Sequence, residues 1–305
     1  MSSSENPKFD LQPPSAESQP TESQSPLVLT PDPLLSASFP LAPPSLTPAP
    51  EPPRDPVWTG WDVLVIAVLA FVAIVVLQLL FVAGAKFVIY PQLPWREALP
   101  QLAQKAMLAI MAQFVAYILL ALYMVALVEG KYRVRFWQAI RWNWPRSPGM
   151  LYGMPILGGL VLLGLTLLGN LLPMPKSTPF EDFFKRPSDA YLMALFAITL
   201  GPLMEELFFR GFLYPVLERR LGVAWGIFFT ALPFGLLHMF QYGYAWGVVL
   251  LIFLMGVVCT AVRAVTGSVA AGFLVHAGYN ATEMLLFAIA TGGFRHMEKV
   301  GLLLF

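Results

Sequence analysis

The stretch of sequence that decides how this chain folds reads EELFFR and occupies residues 205–210. It places Glu205, Glu206 and Arg210 inside a run, residues 190–262, in which the only other charged positions are 218–220. A charged side chain at the centre of a bilayer costs about 2.5–3.5 kcal/mol even on the most permissive insertion scale. Ionisable groups at such positions therefore indicate a functional site.

The composition around this stretch is typical of a polytopic membrane protein. Of the 305 residues, 57% are hydrophobic and 12% are charged, whereas soluble domains carry about 25% charged residues. The formal net charge of +1 argues against a nucleic-acid partner, which needs a clustered basic surface. The lipid bilayer is the first expected partner, and the single cysteine, Cys259, excludes an internal disulfide.

Residues 1–56 differ from the rest of the chain. They hold 15 of the 28 prolines, mixed with Ser, Thr, Gln and Glu, and they show no periodic apolar pattern. Such a segment cannot bury enough apolar surface to offset the loss of chain entropy. We expect a disordered cytoplasmic tail and not a signal peptide, because no basic start is followed directly by an apolar stretch.

Apolar runs of sufficient length predict an all-α, polytopic transmembrane bundle of about seven helices. The first two runs each contain 23 residues without a charge, enough at about 1.5 Å per residue to cross a hydrocarbon core of about 30 Å. The 42 uncharged residues from 221 to 262 are too many for one span, so a turn at 241–244 must divide them. The predicted spans are 63–85, 106–128, about 149–172, one from about 190, two within 221–262, and about 267–290.

The placement of lysine and arginine predicts the orientation of the bundle. The loop 129–148 holds five basic residues against one acidic residue, so we expect it in the cytoplasm. Counting spans from this loop places the N-terminal tail, Arg219, Arg220 and Arg263 on the same side. The loop 173–189 then lies on the opposite side of the membrane.

Two of the three histidines lie within apolar spans. Counting about 1.5 Å per residue from the predicted cytoplasmic ends places Glu205, His238 and His276 at depths of roughly 21, 24 and 15 Å. Asn280 and Glu283 share a helix face with His276 because they follow it by four and seven residues. We interpret Glu283 as a charge near the helix end. The agreement in depth predicts one polar, water-containing cavity within the membrane.

These residue types suit hydrolysis by an activated water. A carboxylate and an imidazole across a cavity can share a water and accept its proton as it attacks a carbonyl. A second imidazole and a primary amide can donate hydrogen bonds to the developing oxyanion. We therefore assign Glu205 to the chemistry and expect Glu206 to pair with Arg210, four residues later, while also lying near the water.

The same side chains leave a metal site open as an alternative. Glu205, His238 and His276 offer three protein ligands, the number that holds a catalytic zinc with an open position. The zinc signature H-E-x-x-H does not occur in the sequence. Because Asn280 fits an oxyanion donor better than a zinc ligand, we favour no cofactor, with zinc or another divalent metal as the alternative.

At these residues the chain resembles the CPBP superfamily of intramembrane proteases. This superfamily includes the type II CAAX prenyl endopeptidases and bacteriocin-processing or immunity-type homologues. Its pattern is E-E-x-x-x-R, then F-x-x-x-H, then H-x-x-x-N. The pattern occurs here in order, on three separate predicted helices, as Glu205-Glu206…Arg210, Phe234…His238 and His276…Asn280. The resemblance covers roughly residues 188–291.

This resemblance implies endoproteolysis within the membrane. It implies that Glu205 and His238 activate water while His276 and Asn280 stabilise the oxyanion, in agreement with the assignment from residue chemistry. The implied substrate is a CAAX-type or related membrane-proximal, membrane-associated or lipidated protein. We expect access to the site from the cytoplasmic side.

Two other functions remain open at this point. A non-catalytic relative could serve as a membrane scaffold or an immunity-type protein that protects a membrane partner. A transporter could also place Glu, His and Arg at mid-depth, although the sequence shows no obvious internal repeat. The predicted domains are the tail 1–56, N-terminal helices 57–187, a protease core 188–291 and a C-terminal tail 292–305.

Overall fold

The computed structural model describes residues 55–103, 105–175 and 177–296. The predicted tail 1–56, except for its last two positions, and the predicted C-terminal tail beyond residue 296 lie outside the described residues. The described part consists of helices and turns, without a β-strand. In chain order the helices are α1 (Gly60–Ile89), α2 (Trp95–Ala103), α3 (Ala106–Ala126), α4 (Phe136–Ala139), α5 (Pro148–Gly169), α6 (Pro187–Ile198), α7 (Leu200–Glu206), α8 (Tyr214–Leu221), α9 (Val223–Leu237), α10 (Trp246–Thr266) and α11 (Val269–Ala290).

The helices confirm the predicted transmembrane bundle. In the described part of the chain, six helical segments are long and apolar enough to cross a membrane. A seventh, α9, has 15 residues and extends about 22 Å at about 1.5 Å per residue. The chain is therefore an integral membrane protein with about seven helices. The six longer segments are Gly60–Ile89, Ala106–Lys131, Pro148–Gly169, Pro187–Leu221, Trp246–Thr266 and Val269–Ala290.

Segments that were predicted to share one side of the membrane lie together at one end of the bundle. We call this end, which contains Pro56, Arg141, Arg219 and Val269, the basic end. Arg219 Nη1 donates a hydrogen bond to the Pro56 carbonyl at 2.9 Å. The backbone N–H of Val269 donates to the Arg141 carbonyl at 3.1 Å. The grouping of these segments is as predicted, and the cytoplasmic position of the basic end stays a prediction.

The opposite end of the bundle is held by contacts between rings, and we call it the aromatic end. The ring centroids of Phe180 and Tyr242 lie 5.3 Å apart, and those of Phe184 and Phe287 lie 4.8 Å apart. These contacts join the loop before α6, the turn after α9 and the last turns of α11. Two connections and the end of one helix, all distant in sequence, therefore pack together at this end.

The segment that carries Glu205, Glu206 and Arg210 departs from α-helical geometry on both sides of the two glutamates. Thr199, with φ −115° and ψ −83°, separates α6 from α7. After α7 the chain forms a π-helical turn, Leu207–Leu213, and the Tyr214 N–H donates to the Phe209 carbonyl five residues earlier. Pro215 accounts for this turn, because proline has no N–H to donate to the carbonyl four residues earlier. The two glutamates therefore lie between these irregularities, and Arg210 lies within the π-helical turn.

Helices α5 and α11 pack backbone against backbone. A Cβ atom at Gly158 of α5 would overlap the Val275 carbonyl of α11, and one at Gly278 of α11 would overlap the Pro155 carbonyl of α5. Both obstacles are backbone atoms, so only glycine allows the two helices to approach so closely. This contact holds α11, the helix that carries His276, against the bundle.

We expect Gly158→Ala to destabilise the bundle by about 1–3 kcal/mol, because the two helix backbones must move apart. The matched control is Gly164→Ala on the same helix, where an added Cβ meets nothing within 4 Å. Thermal unfolding of both variants in the same detergent measures the difference. Equal melting temperatures would contradict the close backbone contact.

Candidate active site

A buried ion pair joins the end of α7 to α10. Arg210 Nη1 donates to Glu206 Oε1 at 2.7 Å, and neither side chain has exposed area. The other guanidinium nitrogens donate to α10, Nη2 to the Gly256 carbonyl at 2.8 Å and Nε to Thr260 Oγ1 at 3.1 Å. The predicted pairing of Glu206 with Arg210 is confirmed. Each nitrogen of the guanidinium has a partner, as a buried cation requires.

The same glutamate orients a histidine on α11. Glu206 Oε1 lies 3.0 Å from His276 Nδ1, so one carboxylate oxygen contacts both the arginine and the imidazole. Gly272 leaves room for this carboxylate, because a Cβ atom there would lie 2.8 Å from Glu206 Oε2. A carboxylate accepts hydrogen bonds, so this contact assigns a proton to His276 Nδ1.

Phe234 of α9 contributes both its ring and its carbonyl. The ring centroid lies 4.7 Å from Arg210 Cζ and 5.0 Å from the centroid of the His238 ring. The Phe234 carbonyl lies 2.8 Å from His238 Nδ1, within reach because the two residues are four apart on one helix. A carbonyl only accepts, so His238 carries its proton on Nδ1 and Nε2 is left free.

Glu205 lies where the two remaining imidazole nitrogens converge. Its Oε1 is 3.9 Å from His238 Nε2, and its Oε2 is 3.7 Å from His276 Nε2. These separations are too long for direct hydrogen bonds, but a water that makes two bonds of about 2.8 Å can bridge either one. The structure thus brings together one glutamate and two histidines from three different helices.

Asn280 has a partner that the sequence did not reveal. Its Nδ2 donates to the Ala197 carbonyl at 2.7 Å, next to the break between α6 and α7. The amide group has two N–H donors. One of them therefore holds the helix break, and the second is the donor that an oxyanion can use.

A cavity of about 580 Å³ adjoins these side chains. It matches the polar cavity predicted from the sequence. Glu206 and Arg210 do not line it, and the Glu206 carboxylate is fully buried; that Glu206 also lies near the water stays a prediction. The predicted site residues that line the cavity are Glu205, His238, His276 and Asn280.

The cavity lies in the half of the bundle that faces the aromatic end. Its outer wall contains Thr178 and Phe180 from the loop before α6, and Gln241 and Tyr242 from the turn after α9. None of the described residues that line it belongs to the basic loop 129–148. The cytoplasmic position of that loop and access to the site from the cytoplasmic side both stay predictions.

One group of possible metal ligands lies close together in the described ranges. Glu206, Cys259 and His276 bring their ligand atoms within 4.8 Å of one another. Glu206 Oε1 in this group already contacts a buried guanidinium and an imidazole, whereas Oε2 is buried without a hydrogen-bond partner. The adjacent Arg210 cation opposes a second positive charge at this place. Glu205 and His238, which were paired with His276 as the alternative metal ligands, are not part of this compact group.

Some supporting residues were missed at the level of sequence. Thr260 carries a signal that could have been used, because hydroxyl side chains in apolar helices commonly bond across to a neighbouring helix. The Gly256 and Ala197 carbonyls carry none, because every residue has a carbonyl and only the fold decides which one is left available.

Comparison with known proteins finds a similarity that covers the part of the chain that carries the site residues. A family model described as type II CAAX prenyl endopeptidase Rce1-like matches residues 187–282. The chain contains an Rce1-like domain. No significant match was found among curated proteins, and none among solved structures.

The Rce1-like domain runs from α6 into α11 and includes all the predicted site residues. The resemblance to the type II CAAX prenyl endopeptidases is thereby confirmed over these residues. The cavity wall extends beyond the Rce1-like domain. Leu162 and Thr166 come from α5, and Glu283 follows the last matched residue.

The two adjacent glutamates should differ in their effect on stability. We expect Glu206→Ala to lower the free energy of unfolding by about 3–5 kcal/mol, because it leaves the Arg210 guanidinium buried without a counter-charge. Glu205→Ala is the matched control, since that carboxylate is 23% exposed, and its loss should be below about 1 kcal/mol. Unfolding curves in detergent measure both, and equal losses would contradict this division of roles.

The sidedness of the cavity can be tested by labelling single cysteines. In a Cys259→Ala background, Ser177→Cys lies at the aromatic end and Asn143→Cys at the basic end, and both positions are exposed. If the basic end is cytoplasmic, a membrane-impermeant maleimide added to intact cells labels Ser177→Cys and not Asn143→Cys. The reverse labelling would show that the cavity faces the cytoplasm and that the orientation predicted from charge is wrong.

Proposed function

We propose that this chain is an intramembrane endopeptidase that hydrolyses a peptide bond with water activated by Glu205 and His238. The observation that carries the proposal is the convergence of two imidazole Nε2 atoms, at 3.7 and 3.9 Å, on one partly exposed carboxylate. This carboxylate lies in the wall of a cavity large enough to admit a peptide segment. The Rce1-like domain supports the same class of reaction.

The reaction requires a base for water, and Glu205 is placed to act as one. Its carboxylate accepts a proton as the water oxygen attacks the carbonyl carbon, while His238 Nε2 accepts a hydrogen bond from the same water. When the carbon–nitrogen bond breaks, the proton held by Glu205 passes to the departing amine. Hydrolysis is then complete without a covalent intermediate on the protein.

His276 and Asn280 are placed to stabilise the oxyanion of the tetrahedral intermediate. The Glu206 carboxylate at Nδ1 orients the imidazole so that Nε2 points toward the cavity, where an Nε2–H can donate to the oxyanion. The second N–H of the Asn280 amide is the other donor. Arg210 balances the charge of Glu206. A buried ion pair, and not water in the cavity, therefore positions His276.

We favour a reaction without a metal. Ligands of one zinc ion lie within about 4.2 Å of each other, because each lies about 2.1 Å from the metal. The two distances from Glu205 to the imidazole nitrogens, 3.7 and 3.9 Å, meet this limit, but no set of one ligand atom from each of Glu205, His238 and His276 lies within 4.8 Å of one another. Zinc or another divalent metal on these three side chains is the alternative, and it would supply Lewis-acid activation of the water.

The substrate that fits this site is a protein held at the bilayer, either a CAAX-type protein or another membrane-proximal or lipidated one. The reacting groups lie on helices that span the membrane. A lipid anchor or a transmembrane segment would hold a peptide near that depth and raise its local concentration. A nucleic acid is not an expected partner, because the chain carries a net charge of only +1.

The activity test compares membrane proteomes of cells that carry the wild type, no protein, Glu205→Gln or His238→Ala. We expect the cleavage products of the wild type to disappear in both variants, because loss of a general base lowers the rate by about 10²–10⁴-fold. The matched control is Glu97→Gln, an exposed glutamate on α2, which should keep every product. A chelator should leave the turnover of the purified protein unchanged.

If both site variants keep every product, the endopeptidase is ruled out and a scaffold or immunity-type role takes its place. If a chelator abolishes the turnover and zinc restores it, the metal-dependent alternative is correct.

A further inference from the structure

Glu283 is a carboxylate in the cavity that the proposed reaction does not use. It shares one face of α11 with His276 and Asn280, and all three side chains line the cavity. Within the described ranges no hydrogen bond or ion pair joins Glu283 to another residue, and its electrostatic neighbours are His276, Tyr242 and Tyr279. Glu283 also lies one residue beyond the part of the chain that the Rce1-like family model matches.

Apart from the two site histidines, the charged side chains in the cavity wall are acidic. Glu181, Glu205 and Glu283 line it, and no lysine or arginine of the described ranges does. Glu181 is tied to its own turn, where Oε1 accepts a hydrogen bond from the Thr178 N–H at 2.8 Å. Glu205 faces the two histidines. Glu283 is therefore the carboxylate that is left to meet a ligand.

Aromatic side chains line the same cavity. Tyr242 and Tyr279 are among them, and the Phe180 ring centroid lies 5.3 Å from that of Tyr242. Burial, and then the nearby Glu283 carboxylate, raise the pKa of the Tyr242 phenol well above its usual range, so this group stays neutral. Neutral aromatic rings beside a carboxylate form surroundings that suit an organic cation.

We propose that Glu283 forms a subsite for a basic side chain, lysine or arginine, of the peptide substrate. This inference rests on the proposed function and names the substrate class of the same site. A cation that binds beside Glu283 gives this partly buried acid a counter-charge and favours its ionised form. An acidic side chain at the same place would meet a wall that carries three carboxylates.

Helix geometry gives the distance of this subsite from the scissile bond. The seven residues from His276 to Glu283 correspond to about 10.5 Å along α11. An extended peptide advances about 3.3–3.4 Å per residue. The basic side chain is therefore expected about three residues from the scissile bond, on the part of the peptide that lies toward the aromatic end.

The cleavage test uses the purified full chain in detergent and a set of short fluorogenic peptides. The peptides carry Lys, Gln or Glu at each position in turn on both sides of the scissile bond. We expect kcat/KM to be about tenfold higher with Lys than with Gln at the third position on one side, and lowest with Glu. Glu283→Gln should reduce this ratio to less than about twofold, mainly through KM, while the Glu97→Gln control should keep it.

A binding test separates failure of this inference from failure of the proposed function. The Glu205→Gln variant is titrated with the fluorescent Lys and Gln peptides. We expect about tenfold tighter binding of the Lys peptide, and no such difference when Glu283→Gln is added. Glu283→Ala repeats both tests if the glutamine variant does not purify as a single species.

The outcomes are distinct. If the wild type cleaves the peptides and Glu205→Gln does not, but Lys and Gln are equivalent at every position, the subsite is wrong and the proposed function stands. If no peptide is cleaved but the preference for Lys in binding depends on Glu283, the subsite stands and the proposed function fails. Absence of the preference from both assays overturns the subsite.

Discussion

The burial of Arg210 is the constraint on which the rest of the structure depends. A guanidinium without exposed area in an apolar bundle requires a counter-charge and a partner for each nitrogen. Glu206 supplies the charge, α10 supplies two oxygen atoms, and the Phe234 ring covers the cation. Because Glu206 also contacts His276, these contacts draw α7, α9, α10 and α11 together.

Two carboxylates that are neighbours in sequence have different roles because of this constraint. Adjacent side chains on a helix point about 100° apart, so when Glu206 faces the arginine, Glu205 must face elsewhere. It faces the cavity, with both imidazole Nε2 atoms nearby. The helix break at Thr199 and the π-helical turn Leu207–Leu213 bound this short segment. One carboxylate thus stabilises the bundle and orients a histidine, while the other remains available for water.

The sequence predicts those interactions of the site that follow from the free-energy cost of a charge in an apolar helix and from the spacing of residues along a helix. Charges and histidines in apolar helices must find partners, and the i to i+4 spacing predicted the pairing of Glu206 with Arg210. The partner of Asn280 could not be predicted, because the Ala197 carbonyl becomes available only through a helix break. The end of the bundle near which the cavity lies could not be predicted either, since charge counts describe loops and not the space between helices.

The sequence by itself determined an all-α membrane bundle, about seven helices, the loops that share one end, and the residues that converge. These follow from length, apolarity, charge and spacing, which are local properties of the chain. Only the tertiary structure decided which glutamate faces the cavity, that the cavity lies at the aromatic end, and that Glu283 lines it without a partner. Those features depend on where helices from distant parts of the chain meet, and no local pattern records that.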